Sequence, residues 1–198
     1  MLAIVVREKV KEFLTPLGKR LAFVEPNHIT FLSIIIVFFA SLSIYYQNFV
    51  AAFLLVVLSS FLDVLDGLVA KTNKKTTLIG NYFDAMIDRI HEFLIMLAFA
   101  FSGYAIQAFL AFSSSLLVSY AKARAEMIKP LNNIDWPSIG ERAERLLVLI
   151  IMIFIRIFTD NIEGYDVISA FLMFIFIMTL LGFFQRMVFA LRYLGDKN

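Results

Sequence analysis

The sequence predicts an all-α integral membrane protein with six transmembrane helices and an N-terminal amphipathic helix that lies in the membrane interface. The chain has 198 residues, of which 61% are hydrophobic, and 22 of them are phenylalanine. That is more apolar side chain than a soluble core of this length can bury. The apolar residues also form six runs, each long enough to cross a hydrocarbon layer about 30 Å thick as a helix.

The positions of these runs and of the basic residues between them predict the topology. We place the spans at 29–48, 49–70, 80–101, 104–124, 141–159 and 166–187. Among the 18 lysines and arginines, only Arg156 lies near the connections at 47–48, 102–103 and 159–165. Because basic residues collect on the cytoplasmic side of a membrane, we expect both termini in the cytoplasm.

The first 25 residues have a different pattern, in which charged residues such as Glu8 and Lys9 lie opposite an apolar helical face. This pattern is typical of a helix lying flat in the interface, although a solvated helix is the alternative. No small-residue cleavage site follows an apolar core, so we expect no removal as an export signal. We therefore divide the chain into an amphipathic arm at 1–25 and a six-helix domain at 26–198.

Four aspartates interrupt the apolar pattern of the second and third spans. Asp63 and Asp66 are three residues apart, and Asp84 and Asp88 are four apart, so each pair shares one face of its helix. A short loop joins the two spans into a hairpin, and Asp63 and Asp84 lie equally far from its centre. We therefore expect all four carboxylates to converge on one cavity near the cytoplasmic side.

Such a cluster needs a counter-charge. Two ionised carboxylates about 6 Å apart repel by about 3 kcal/mol at an effective dielectric of about 20, in addition to the cost of leaving water. The chain has no cysteine, and oxygen ligands favour magnesium, manganese or calcium. We predict two divalent cations, and carboxylates that simply face water are the alternative. We expect His91 to be a hydrogen-bonded helix-end histidine rather than a site residue.

Small residues accompany the aspartates. Gly67 and Ala70 share the face of the first pair, and Gly80 precedes Asp84 by four residues. Small side chains leave room either for a ligand beside the carboxylates or for close helix packing. Their size alone does not distinguish between the two.

The complete spacing resembles the signature of the CDP-alcohol phosphotransferase family. The eight signature positions are Asp63, Asp66, Gly67, Ala70, Lys71, Gly80, Asp84 and Asp88. Seven are identical to the family pattern, and at the position of Lys71 the family usually has arginine. Lysine keeps the charge but loses the bidentate fork of arginine. The stretch PNHIT at Pro26 to Thr30 also resembles the family.

This resemblance implies transfer of a phosphatidyl-type group from a CDP-linked lipid to an alcohol, with release of CMP. It implies that magnesium or manganese ions are held by Asp63, Asp66, Asp84 and Asp88. It gives Asp88 a second role as the general base for the acceptor hydroxyl. It implies a cytidine diphosphate pocket lined by Gly67, Ala70, Lys71 and Gly80. A homodimer is also implied.

A second polar cluster is predicted where the fifth span begins. Ser138 and Glu141 indicate a capping box, so the positive end of this helix would lie at the cytoplasmic side. Arg142 and Arg145 share its first turns, and Arg124 approaches from the fourth span. Three arginines near a helix start favour a phosphate site. The alternative is that they are membrane anchors paired with nearby glutamates.

Two stretches contain these arginines, SYAKARAE at Ser119 to Glu126 and SIGERAERL at Ser138 to Leu146, and both resemble the branch of the family that uses inositol 1-phosphate. We therefore expect transfer from CDP-archaeol or CDP-diacylglycerol to inositol 1-phosphate at the cytoplasmic face of the cell membrane. A synthase that uses glycerol 3-phosphate is the alternative within the same class, and a divalent-cation transporter is the alternative from another class. We expect membrane lipids as neighbours and no nucleic-acid partner.

Overall fold

The computed structural model describes Pro16, Arg20 and residues 25–129 and 139–195. This part of the chain is almost entirely helical. Its helices are α1 (Pro26–Tyr45), α2 (Phe49–Thr72), α3 (Leu78–Phe99), α4 (Ala105–Ile128), α5 (Arg142–Phe158) and α6 (Val167–Gly195). A short antiparallel pair of strands, β1 (Asn161–Ile162) and β2 (Tyr165–Asp166), connects α5 to α6. Most of the predicted amphipathic arm lies outside the described residues.

Four helical segments of the described chain are long and apolar enough to cross a membrane. They are Pro26–Tyr45, Phe49–Thr72, Leu78–Ile128 and Val167–Gly195. The third contains both the third and the fourth predicted spans, and α5, with 17 residues, is at the lower limit of length for a crossing helix. The protein is therefore a multi-pass membrane protein. Six spans and cytoplasmic termini stay predictions.

The long third segment is interrupted at the position where the sequence predicts a connection. A π-helical stretch, Ala100–Tyr104, separates α3 from α4. Within it, Gly103 has a φ of 103°, a left-handed conformation that a side chain would disfavour. The helical path is therefore kinked at Gly103, without a separate loop.

The described residues form two compact units. The first contains 25–43 and 51–95, and the second contains 44–50, 96–129 and 139–195. In the first unit, Ile29 of α1 packs against Leu65 and Val69 of α2. In the second, α4 and α5 both pack against α6. The candidate carboxylates belong to the first unit and the candidate arginines to the second.

The loop between α2 and α3 is held by hydrogen bonds from both helix ends. Lys74 has a φ of 55°, and the amide of Lys75 donates to the carbonyl of Ala70 at 2.8 Å, as in a Schellman motif. The hydroxyl of Thr77 accepts a hydrogen bond from the amide of Gly80 at 2.9 Å and so caps the start of α3. These contacts give the tight connection that the predicted hairpin requires.

Candidate active site and metal cluster

Three of the four signature aspartates lie together in the first unit. Each of Asp63, Asp66 and Asp84 offers a carboxylate oxygen, and these three oxygens lie within 4.8 Å of one another. Asp66 is buried, Asp63 is half-buried and Asp84 is exposed. The structure thus brings together Asp63 of α2 and Asp84 of α3, as the hairpin register predicts. Asp88, one turn further along α3, is half-buried and does not belong to this group of three.

The chemistry of this group fits a divalent cation. At a separation of 4.8 Å, each pair of ionised carboxylates repels by about 3.5 kcal/mol at an effective dielectric of about 20. A cation among them replaces this repulsion with attraction. All three ligands are carboxylate oxygens, which are the donors that hard divalent ions prefer. The three aspartates are therefore a candidate site for a divalent cation.

One hydroxyl group of α1, that of Thr30, contacts this site, and a second, that of Ser33, contacts Thr30. Both were missed by the sequence analysis. The hydroxyl of Thr30 donates to Oδ2 of Asp66 at 2.6 Å. The hydroxyl of Ser33 donates to the carbonyl of Thr30 at 2.7 Å and lies 3.1 Å from Nε2 of His91. Ser33 therefore joins Thr30 to His91 of α3. His91 is hydrogen-bonded, as expected, but it lies in the interior of α3 and not at a helix end.

The sequence contains a pattern that indicates that these hydroxyl groups contact other helices. Thr30 and Ser33 are three residues apart on an otherwise apolar helix, so they share one face. Thr30 is also the last residue of the stretch PNHIT. Polar side chains on one face of a membrane helix indicate contact with protein rather than with lipid.

The predicted nucleotide residues have different surroundings. A Cβ atom added at Gly67 would meet no described atom within 4 Å, so Gly67 borders open space. A Cβ atom added at Gly80 would lie 3.0 Å from Oγ1 of Thr77, so the small size of Gly80 fits close helix capping. Ala70 is half-buried, and Lys71 is exposed in the last turn of α2. The sequence leaves two explanations for the small residues, room for a ligand and close helix packing. Room for a ligand is the one that fits Gly67.

The predicted capping box at the fifth span is wrong. The helix begins at Arg142, and Glu141 is its N-cap, with extended backbone and no capping hydrogen bond from its side chain. Oε2 of Glu144 instead accepts a hydrogen bond at 2.7 Å from the amide of Gly140, the residue before the N-cap. Ser138 lies outside the described residues. The helix start is therefore about one turn later than the sequence indicates.

The three predicted arginines differ in their exposure. Arg145 is only 2% exposed, and its Nη1 donates to the carbonyl of Gly140 at 2.5 Å. Arg142, the first residue of α5, is half-buried, and Arg124 is exposed near the end of α4. Arg145 therefore holds the loop before α5 in addition to any role in binding.

Contacts with α6 fix the same loop. Gly140 has a φ of 80°, and a Cβ atom there would lie 3.0 Å from Cα of Thr179. Arg186 of α6 is buried, and it donates to the carbonyl of Val118 at 2.8 Å and to Oε1 of Glu141 at 3.0 Å. The sequence analysis did not single out Arg186, although an arginine inside a predicted span is an unusual residue. Its guanidinium joins α4, α6 and the start of α5.

Several known proteins are similar to this chain in sequence. They include archaetidylinositol phosphate synthases. The protein of Pyrococcus horikoshii is 33% identical over 150 residues, which cover 74% of this chain and 79% of the relative. The protein of Methanothermobacter thermautotrophicus is 28% identical over 190 residues, which cover 92% of this chain and 91% of the relative.

The fold also matches a solved structure. The phosphatidylinositol phosphate synthase of Mycobacterium tuberculosis, crystallised with CDP-DAG bound, superposes with a TM-score of 0.77 at 21% sequence identity, covering 91% of this chain and 94% of that one. A structure of the same enzyme in complex with manganese and citrate gives a TM-score of 0.74. The family model of the CDP-alcohol phosphatidyltransferases matches residues 23–194. This chain therefore belongs to the CDP-alcohol phosphatidyltransferase family and is a transferase.

Proposed function

We propose that this chain transfers the lipid phosphoryl group of CDP-archaeol or CDP-diacylglycerol to inositol 1-phosphate and releases CMP. The observation that carries the proposal is the cluster of Asp63, Asp66 and Asp84, formed by residues at the signature spacing of the family. The archaetidylinositol phosphate synthases among its relatives support the choice of acceptor. They also favour the archaeal donor lipid.

In this reaction the acceptor hydroxyl attacks the phosphorus that is bonded to the lipid oxygen. A new phosphorus–oxygen bond forms to the acceptor, and the bond to CMP breaks. Asp63, Asp66 and Asp84, together with Asp88, would hold two divalent cations, magnesium or manganese. When bound, these ions supply positive charge that neutralises the diphosphate and stabilises the leaving CMP. Membership of the family argues against the alternative of a cation transporter.

Asp88 is the proposed general base. It lies one turn beyond Asp84 on α3 and outside the group of three, so its carboxylate can serve the acceptor as well as a cation. A carboxylate close to cations stays ionised and is a weak base, so its contribution depends on its position beside the hydroxyl. The proton of the acceptor hydroxyl passes to this carboxylate.

The nucleotide is proposed to lie beside α2 and the start of α3, against Gly67, Ala70, Lys71 and Gly80. The open space at Gly67 supports this placement. Lys71 is exposed in the last turn of α2 and can offer one positive charge to the diphosphate. As a single ammonium group, it makes a less directional contact than the usual arginine of the family.

Arg124, Arg142 and Arg145 are proposed to bind the phosphate of the acceptor. Arg142 is the strongest candidate, because it is the first residue of α5, where the amide groups and the positive end of the helix also favour an anion. A phosphorylated acceptor needs such a second anion site in addition to the one for the diphosphate.

We also propose six membrane crossings, a cytoplasmic active site and a homodimer. The helical segment Leu78–Ile128 has 51 residues, and as a straight helix it would be about 77 Å long, more than twice the thickness of a bilayer core. Two crossings that are separated at Gly103 account for this length. The distribution of basic residues supports the cytoplasmic side.

The test uses purified protein in detergent with CDP-archaeol or CDP-diacylglycerol, magnesium or manganese, and inositol 1-phosphate, glycerol 3-phosphate, inositol or serine. We expect CMP release with inositol 1-phosphate, and its loss when a chelator removes the metal. Release only with glycerol 3-phosphate would assign the alternative acceptor. Release that persists in a chelator would contradict the role given to the aspartates.

A further inference from the structure

We propose that Thr30 is a positioning residue for the metal cluster, because its hydroxyl orients the carboxylate that Asp66 contributes. The inference rests on the proposed function, in which this cluster holds a divalent cation. It extends the site to α1, a helix that carries none of the signature aspartates. Thr30 itself is not proposed to contact either the substrates or the metal.

The contact between the two side chains is short and buried. The hydroxyl of Thr30 donates to Oδ2 of Asp66 at 2.6 Å, and the two residues are 7% and 4% exposed. This length is typical of a hydroxyl bonded to a carboxylate, which is stronger than a bond between neutral groups. Oγ1 of Thr30 also lies 3.0 Å from the carbonyl of Pro26. Since a hydroxyl has one proton, the shorter contact with the carboxylate takes it.

This hydrogen bond restricts rotation of the Asp66 carboxylate about the last torsion of its side chain. The last torsion of an aspartate side chain has broad minima, so the plane of the carboxylate is not fixed by the helix alone. A donor on one oxygen defines that plane and thus the direction in which Asp66 offers a ligand atom. Carboxylates that bind metals are commonly held in this way by a neighbouring hydrogen bond.

Thr30 is itself held in place by contacts on both sides of α1. Its carbonyl accepts a hydrogen bond from Ser33, and Oγ of Ser33 is hydrogen-bonded to Nε2 of His91 of α3 at 3.1 Å. Ile29, the neighbour of Thr30, packs against α2. The helix that positions Asp66 is therefore bonded to both helices that carry the cluster, and all of these contacts lie within the first unit.

Two variants separate the hydroxyl from the rest of the side chain. Thr30→Val removes the donor and keeps the branched shape, and Thr30→Ser keeps the donor and removes the methyl group. The measurement is the affinity of the purified full chain for Mn²⁺, from the electron paramagnetic resonance signal of the free ion. We expect Thr30→Val to bind Mn²⁺ about 10- to 100-fold more weakly, and Thr30→Ser to bind it like the wild type. The concentration of Mn²⁺ that half-activates CMP release should rise in parallel.

Ser41→Ala is the matched control, because Ser41 is a buried hydroxyl of the same helix that donates to the carbonyl of Val37 within α1. We expect it to leave Mn²⁺ affinity unchanged. Melting temperatures report whether each variant is folded, and Thr30→Ala replaces Thr30→Val if the latter does not fold. Asp84→Asn serves as the reference for loss of a metal ligand.

The outcomes separate this inference from the proposed function. If Asp84→Asn weakens Mn²⁺ binding and Thr30→Val does not, the positioning role is wrong and the metal cluster stands. If neither variant weakens binding, the metal cluster itself is wrong. Equal losses in Thr30→Ser and Thr30→Val would also overturn the role of the hydroxyl, because the methyl group would then account for the effect.

Discussion

Charged side chains are arranged differently in two regions of the molecule. These regions are the aspartate cluster of the first unit and the start of α5 in the second unit. The cluster gathers three groups of the same sign, Asp63, Asp66 and Asp84, within 4.8 Å. At the start of α5, charges of opposite sign are paired, as in the contact of the buried Arg186 with the exposed Glu141. Like charges cost free energy that a bound cation can recover, whereas matched charges contribute to the fold. Substitutions of the clustered aspartates should therefore affect function, and substitutions of the matched groups at the start of α5 should affect stability.

The largest effect is expected at the cluster. Asp63→Asn should abolish CMP release, because it removes a ligand from the proposed metal site. In metal-free buffer the same variant should melt at or above the wild-type temperature, since one source of repulsion is gone. The assay of CMP and thermal unfolding with and without Mn²⁺ test both statements. A variant that melts well below the wild type in metal-free buffer would show that Asp63 is mainly structural.

The variant Asp88→Asn tests whether Asp88 has a role separate from that of the three clustered aspartates of the first unit. We expect it also to abolish CMP release, because the proposed general base is lost. Since Asp88 lies outside the group of three, the variant should keep at least one Mn²⁺ site, measured as the number of ions bound per chain. Complete loss of Mn²⁺ binding would instead place Asp88 among the essential ligands of the first ion.

Two arginines of α5 provide a matched pair in the second unit. Arg142→Ala should raise the KM for inositol 1-phosphate by about tenfold or more, with little change in the KM for the CDP-lipid or in melting temperature. Arg145→Met should lower stability by about 1–3 kcal/mol, because the carbonyl of Gly140 loses its buried donor. Steady-state kinetics and thermal unfolding distinguish the two. Equal increases in both KM values for Arg142→Ala would remove the case for an acceptor site there.

The smallest effect is expected where a charge pair is exposed. Oε1 of Glu25 accepts a hydrogen bond from Nζ of Lys75 at 2.7 Å, and this contact lowers the pKa of Glu25 below its ordinary value of 4.5. The folded state therefore gains stability from this group above the ordinary pKa, and loses it as the pH falls through the lowered value. Glu25→Gln should melt slightly below the wild type at neutral pH. The difference should disappear in acid, and a difference that persists there would point to a cause other than the charge.

Particular residues show how far spacing along the chain predicts the site. Asp63 and Asp84 come together because a short loop joins α2 to α3, so their register depends on nearby residues. Thr30 was missed because its partner, Asp66, is 36 positions away. The predicted capping box was wrong in part because Glu141 bonds to Arg186, 45 positions away.

The sequence by itself determined that the protein is helical and lies in a membrane, which family it resembles, and that carboxylates meet across one hairpin. These features depend on hydropathy and on residues close together in the chain. Only the tertiary structure decided that α1 holds Asp66, that Arg145 is buried, and that α5 begins at Arg142. The physical reason is that a buried hydroxyl or guanidinium bonds to whichever group helix packing brings within about 3 Å, and this choice depends on residues far apart in the chain.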